Sequence, residues 1–389
     1  MTAAKKNIRI AYFLGFLKNS WFWLGIWVFY YLRYTNYAGI GIIETVLIAT
    51  MTISEIPTGA IADLLGKKKT LTLSFLLEAV GGFLMAFAPN FPVLCFSVFV
   101  MCIGGTLYSG TMEALIYDSL LEVKENHHYG KVIANIGTIQ LISPAVCSII
   151  GGFIYSLNPS LPFIANSVCY TIGFFLTFLL TEPLIDTEKF SLAVFVKQTK
   201  QGFKQLTKTL EIKRQVILLL SVATIIVIAD EMLNGLLAVE FGFNEKQVGI
   251  LWSAIYIVSA LASQLTPRIK KEFGGNVSLL IIGFLTALSF LVSPFLGIMI
   301  GGISLTLRAS FQAVYMNLTS IAINENTESK YRATTLSTFN MIKNTPYLLL
   351  AYFIGFLADS YSAKIVAMIL GIFLGGIVLL QSLKAKVRK

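Results

Sequence analysis

The chain has 389 residues, of which 56% are hydrophobic and only 13% charged, with a net charge of +10. A water-soluble domain of that length needs far more polar surface, and a transmembrane barrel needs short alternating strands where this chain has continuous apolar runs. Helices that satisfy their own backbone groups in hydrocarbon are the structure this composition allows.

The first apolar run, residues 8–32, is too long for a signal-peptide core and lacks a small-residue cleavage site, so it reads as a retained span. Further runs fall at 39–62, 70–88, 93–120, 132–156 and 162–181, then at 215–240, 246–267, 277–293, 294–322, 334–359 and 361–383. That makes twelve expected helices, with the tightest division at Ser293-Pro294. Cys95, Cys102, Cys147 and Cys169 all lie inside apolar runs and read as inert packing residues.

Between the two sets of six lies the one long polar stretch, from Glu182 to Gln215. Within it Leu192, Phe195, Val196, Phe203, Leu206 and Leu210 recur at helical spacing, with Lys197, Lys200, Lys204 and Lys208 among them. This predicts an amphipathic helix lying on an anionic leaflet, a flexible linker being the alternative. The expected organisation is therefore a bundle over 1–181, a linker over 182–214 and a second bundle over 215–389.

Placing the N-terminus inside puts 24 of the 30 basic residues on the cytoplasmic side and leaves Arg33, Lys246 and Lys364 outside. Both termini are then expected to be cytoplasmic, in a cell (inner or plasma) membrane. The same bias accounts for the net charge without a nucleic-acid partner. The halves also echo each other. "SGTMEALIYDSLLEV" parallels "ASFQAVYMNLTSIAI", and Gly41 and Gly66 match Gly249 and Gly274 at a common offset of 208 residues. Several ordered matches of this kind indicate an internal duplication.

The loop between the second and third spans reads "EIPTGAIADLLGKKKTL", with Gly59, Asp63, Gly66, Lys67 and Lys68. Gly, Asp four residues on, Gly three beyond and then basic residues resembles the signature loop of the major facilitator superfamily. Lys stands here for the commoner Arg, and the second-half copy is degraded, with Pro267 and Lys271 in the places of Gly59 and Asp63. "SGTMEALIYDSL" and "ESKYRATTLS" resemble segments of the drug-efflux-like branch. The resemblance implies an all-α membrane protein of two pseudo-symmetric six-helix bundles that moves a small molecule by alternating access. It also implies a cytoplasmic gate built on Gly59, Asp63, Gly66, Lys67 and Lys68, with Asp118 and Arg332 as partners near the same membrane edge.

Charges at bilayer depth cost about 3 kcal/mol or more and usually face a cavity. Lys18, Glu113, Asp230, Glu231, Arg308 and Lys343 lie well inside spans. In the resembled family the first, fourth, seventh and tenth spans line a central cavity, and each carries at least one of these charges. Glu113, Asp230 and Glu231 are the candidates for proton coupling, since burial and nearby cations shift a carboxylate in opposite directions. Adjacent residues point about 100° apart on an α-helix, so one of Asp230 and Glu231 is expected to face the cavity. Lys18 and Arg308 are the candidates for gripping an organic anion, Arg308 through paired hydrogen bonds. Trp21 is placed to stack on substrate, and Gln140, Asn234 and Gln312 to supply neutral hydrogen bonds. Static ion pairing is the competing reading for every one of these charges.

Helix 5, "GTIQLISPAVCSIIGG", departs from the glycine-rich pattern of the family's drug antiporters, which leaves the direction of transport open. The sequence holds no phosphate-binding G-x-x-x-x-G-K-[ST] motif and no catalytic cluster. The favoured expectation is proton-coupled efflux of small amphipathic compounds by a monomer without cofactors or metals. An organic-anion carrier is the alternative, and a transport-inactive receptor or scaffold is the alternative of another class.

Overall fold

The computed structural model describes residues 3–183, 192–328 and 331–386, and they are helical almost throughout. The helices are α1 (Ala3–Lys18), α2 (Trp27–Tyr31), α3 (Tyr37–Leu65), α4 (Lys67–Ala86), α5 (Phe91–Tyr108), α6 (Thr111–Glu122), α7 (Tyr129–Tyr155) and α8 (Leu161–Thr177). They continue as α9 (Leu192–Leu206), α10 (Leu210–Ile228), α11 (Asn234–Glu240), α12 (Glu245–Ser263), α13 (Thr266–Phe273), α14 (Gly275–Leu291), α15 (Ile298–Asn326), α16 (Arg332–Tyr361) and α17 (Ala363–Lys386).

Among the described residues eight helices are long and apolar enough to cross a membrane, or nine if the bent pair α13 and α14 is one span. Three further segments complete twelve. Helix α1 has 16 residues before it breaks, α8 has 17, and α15 is long but diluted by Arg308, Gln312 and several serines and threonines. Large apolar side chains such as Phe13, Phe153, Phe295 and Met299 are exposed, as lipid allows and water does not.

The first span differs from the continuous helix expected over 8–32. Helix α1 ends at Lys18, and residues 19–26 form turns before α2. The break is tolerated because side chains take up the freed carbonyls. Asn19 donates to Gly15 O at 2.8 Å, Ser20 and Ser143 donate to Phe16 O at 2.8 and 2.9 Å, and Trp21 Nε1 donates to Lys18 O at 3.1 Å.

By the clustering of contacts the chain forms two compact units. One comprises Met1–Tyr30, Val46–Leu192 and Glu245–Ser253; the other Tyr31–Thr45, Ala193–Asn244 and Ala254–Lys389. The first has a core of Leu14, Leu71, Phe75, Tyr108, Met112, Leu115, Ile136 and Tyr170, drawn from α1 and α4–α8. In the second, α14 packs between α15 and α17, and α10 packs on α16. The first turns of α3 belong to this unit. Asp359 of α16 accepts from Tyr37 N and Ala38 N at 3.0 and 2.8 Å. The expected amphipathic segment is the helix α9, seated through Gly202 against Thr338 with Val196 and Phe203 exposed.

Candidate functional site

In the first unit the last residue of α1, Lys18, pairs with Glu78 of α4. Their side chains are 14% and 5% exposed, so in this structure Lys18 holds a buried partner. Room for the pair comes from the Gly104-Gly105 step of α5. A Cβ at Gly105 would stand 3.6 Å from Glu78 Oε1 and 3.9 Å from Lys18 Nζ. The ammonium lies over the rings of Tyr108 and Tyr170, 5.1 and 5.8 Å from their centroids, within cation–π range. Glu113, near the start of α6, is half-buried, and its Oε2 is a buried atom without a hydrogen-bond partner. Gln140 is half-buried on α7.

The second unit holds a larger network. Residues 229–233, between α10 and α11, form a π-helical turn that carries Asp230 and Glu231. Such turns leave the regular ladder and recur at functional sites. Both side chains are solvent-accessible although the residues from Ile225 to Ala229 and from Met232 to Ala238 are buried. The expectation that one of the two would face inward rested on regular α-helical spacing, which this turn does not keep. Asn234 donates to Asp230 Oδ1 at 3.4 Å and accepts from Arg308 Nη1 at 2.9 Å, linking acid to base. Lys343 of α16, half-buried, is the nearby cation for both acids.

Arg308 is fully buried. Nε donates to Ser289 Oγ at 3.1 Å, and Nη2 donates to Ser289 O and Ser293 Oγ at 2.8 and 3.1 Å. The guanidinium also stacks 4.0 Å from the Phe290 centroid. All three nitrogens are engaged, so Arg308 acts here as a tie among α11, α14 and α15 rather than an open anion grip. Gln312, one turn on, is 2% exposed, and neither amide atom has a hydrogen-bond partner.

The sequence reading passes over Glu44, a lone carboxylate in the apolar run of α3 and just as detectable as Glu113. It is 4% exposed, accepts from Tyr347 OH at 3.1 Å and lies within electrostatic reach of Glu231. Glu44 thus adjoins Glu231, which with Asp230 lies near Lys343, while Asp230 also lies near Arg308.

Of the gate residues, Gly59 and Asp63 fall where side-chain surroundings lie outside the described residues. Gly66 has φ 83°, a value glycine adopts freely, and makes the sharp turn into α4. Lys67 pairs with Asp118 at 2.5 Å, with side-chain exposures of 13% and 3%, so the structure brings these two together. Lys68 Nζ donates to Phe178 O at 2.8 Å. Arg332 donates to Asn324 O at 3.3 Å, within its own unit.

The family model of the Major Facilitator Superfamily matches residues 9–346. An uncharacterized MFS-type transporter, YxaM of Bacillus subtilis (strain 168), is 22% identical over 265 residues, covering 64% of this chain. The chain spans 63% of that relative's length. The crystal structure of the nucleoside transporter NupG has a TM-score of 0.78 at 15% identity, covering 98% of each chain. A POT family transporter in complex with 5-aminolevulinic acid has a TM-score of 0.76 at 13% identity, covering 97% of this chain and 95% of the other. At such identities the likeness to solved structures is one of fold. With the family model spanning most of its length, the chain belongs to the Major Facilitator Superfamily.

Proposed function

We propose that this chain is a transporter that couples proton movement to the efflux of small amphipathic compounds by alternating access, in the manner of the drug-efflux-like branch it resembles. One observation carries the proton reading. In the second unit Asp230 and Glu231 both lie near Lys343, Asp230 also lies near Arg308, and a third carboxylate, Glu44, lies near Glu231. Unbalanced charge at bilayer depth is costly, and a bound proton is the smallest group that restores balance. Asp230 and Glu231 are exposed on the surface of this unit, and the Asn234 bridge to Arg308 makes the charge of Asp230 felt in the packing of α14 and α15. The organic-anion reading would require Lys18 and Arg308 to leave the buried partners they hold in this structure.

The test is flux in proteoliposomes that enclose a pH-sensitive dye, with a panel of amphipathic compounds added outside. A transported compound should move protons in proportion, and Asp230→Asn with Glu231→Gln should abolish proton-driven accumulation while leaving downhill exchange. Undiminished accumulation in that double variant would remove these acids from the coupling. Absence of flux across the whole panel would favour a receptor or scaffold.

A further inference from the structure

The Lys18 pocket has the chemistry of an ammonium receptor that is already filled by the chain itself. Glu78 supplies a buried carboxylate, and only one of its oxygens is used; Oε2 has no hydrogen-bond partner. The rings of Tyr108 and Tyr170 present their faces to Lys18 Nζ, and both tyrosines are buried, at 6% and 2% exposed. The Tyr108 hydroxyl is a second buried polar atom without a hydrogen-bond partner. It lies within electrostatic reach of both Glu78 and Glu113. A carboxylate walled by aromatic faces is how proteins hold alkylammonium groups, because ring quadrupoles attract a cation while their apolar bodies accept its alkyl substituents.

The occupant is also placed to leave. Lys18 is the final residue of α1, at the break before residues 19–26, and its long stem is flexible. Glu113 lies within electrostatic reach of Tyr108, and its Oε2 is a buried carboxylate oxygen without a hydrogen-bond partner. Two carboxylates and one tethered cation therefore lie within electrostatic reach of Tyr108.

We propose that Glu78, Tyr108 and Tyr170 form a binding subsite for the ammonium group of an organic-cation substrate, that Lys18 occupies this subsite as a tethered competitor, and that arriving substrate passes Lys18 to Glu113. The exchange conserves charge: the substrate cation neutralises Glu78 and the released lysine neutralises Glu113. It explains why the pocket keeps an oversupply of acceptor oxygens beside a single ammonium. The inference names the substrate class for the efflux reading and rests on that reading, but its test uses binding alone and needs no gradient.

Binding of benzyltrimethylammonium to the purified full chain is measured by titration calorimetry, with benzoate as the anion of similar size. Lys18→Met removes the competitor and should tighten benzyltrimethylammonium binding by about tenfold or more, whereas Lys18→Arg should not. Tyr108→Leu, which leaves the ion pair in place, should weaken binding by about three- to thirtyfold. Lys18→Met combined with Glu78→Gln leaves a neutral, foldable pocket and should lose the tightening. Unchanged or weaker binding in Lys18→Met, with thermal stability retained, overturns the proposal. So does unchanged affinity in Tyr108→Leu, a result available even where Lys18→Met fails to fold. Preferential binding of benzoate overturns it as well. Loss of proton coupling with these binding shifts intact would sink the coupling assignment and leave the subsite standing.

Discussion

Three carboxylates act as caps for helices far from them in sequence. Glu182 accepts from Lys67 N and Lys68 N at 2.7 Å each, Glu240 from Ala363 N and Lys364 N at 2.6 and 3.1 Å, and Asp359 from Tyr37 N and Ala38 N. In each case the first backbone donors of a helix, which have no partner within it, receive an anion at the positive end of the helix dipole. Glu240→Ala should therefore cost about 1–2 kcal/mol, read as a lower Tm in detergent, with Glu240→Gln recovering part of the loss. Arg308 is a heavier case, because its removal leaves Asn234, Ser289 and Ser293 without their donor in a buried place. Arg308→Ala should lower stability by about 3 kcal/mol or more, a larger Tm shift than any cap variant gives. Equal shifts for the two would show that the guanidinium network is not tightly formed. The residue types in these contacts are plain in the sequence, but their pairing is not: Glu44 and Tyr347 are separated by 303 positions, and no local pattern joins them.

At the scale of elements, the hydropathy of residues 8–32 concealed the break after Lys18, since the turns at 19–26 are as apolar as a helix. What the sequence did contain was the means of tolerating it, in Asn19, Ser20 and Ser143, whose side chains satisfy carbonyls that a broken helix sets free. The fifth span shows the same division between what is legible and what is not. Its Gly151 and Gly152 stand out in the sequence, yet their use depends on a neighbour. Gly151 lies directly against the carbonyl of Phe22, in that broken stretch, and Gly152 against Glu245 O of α12. A side chain at 151 would meet backbone that cannot rotate away. Gly151→Val should destabilise by about 1–3 kcal/mol through overpacking, measured as Tm, whereas Gly137→Ala, on the same helix with open space around it, should change little. Similar effects at the two positions would mean that the helix ends are not held as closely as the packing shows.

For the molecule as a whole, the twelve segments were readable because lipid demands long apolar runs, and the family was readable because the turn at Gly66 needs a residue free to adopt positive φ beside basic partners. The charges of the second unit were readable as ionisable groups inside apolar runs, but the π-helical turn that carries Asp230 and Glu231 leaves no periodic trace in composition. The expected orientation rests on charge alone: with the N-terminus placed inside, 24 of the 30 basic residues are expected on the cytoplasmic side. Translocating those loops outward would move many positive charges against the gradient that retains them, whereas the opposite loops carry few. Alkaline phosphatase inserted at Asn158, between α7 and α8, should be active outside the cytoplasm, and a fusion at Lys389 should be inactive as phosphatase but fluorescent as green fluorescent protein. A phosphatase active at Lys389 would invert the topology. The basic first turn of α4 at Lys67–Lys69, with its Lys67–Asp118 pair, would then lie on the outer side, against the positive-inside bias.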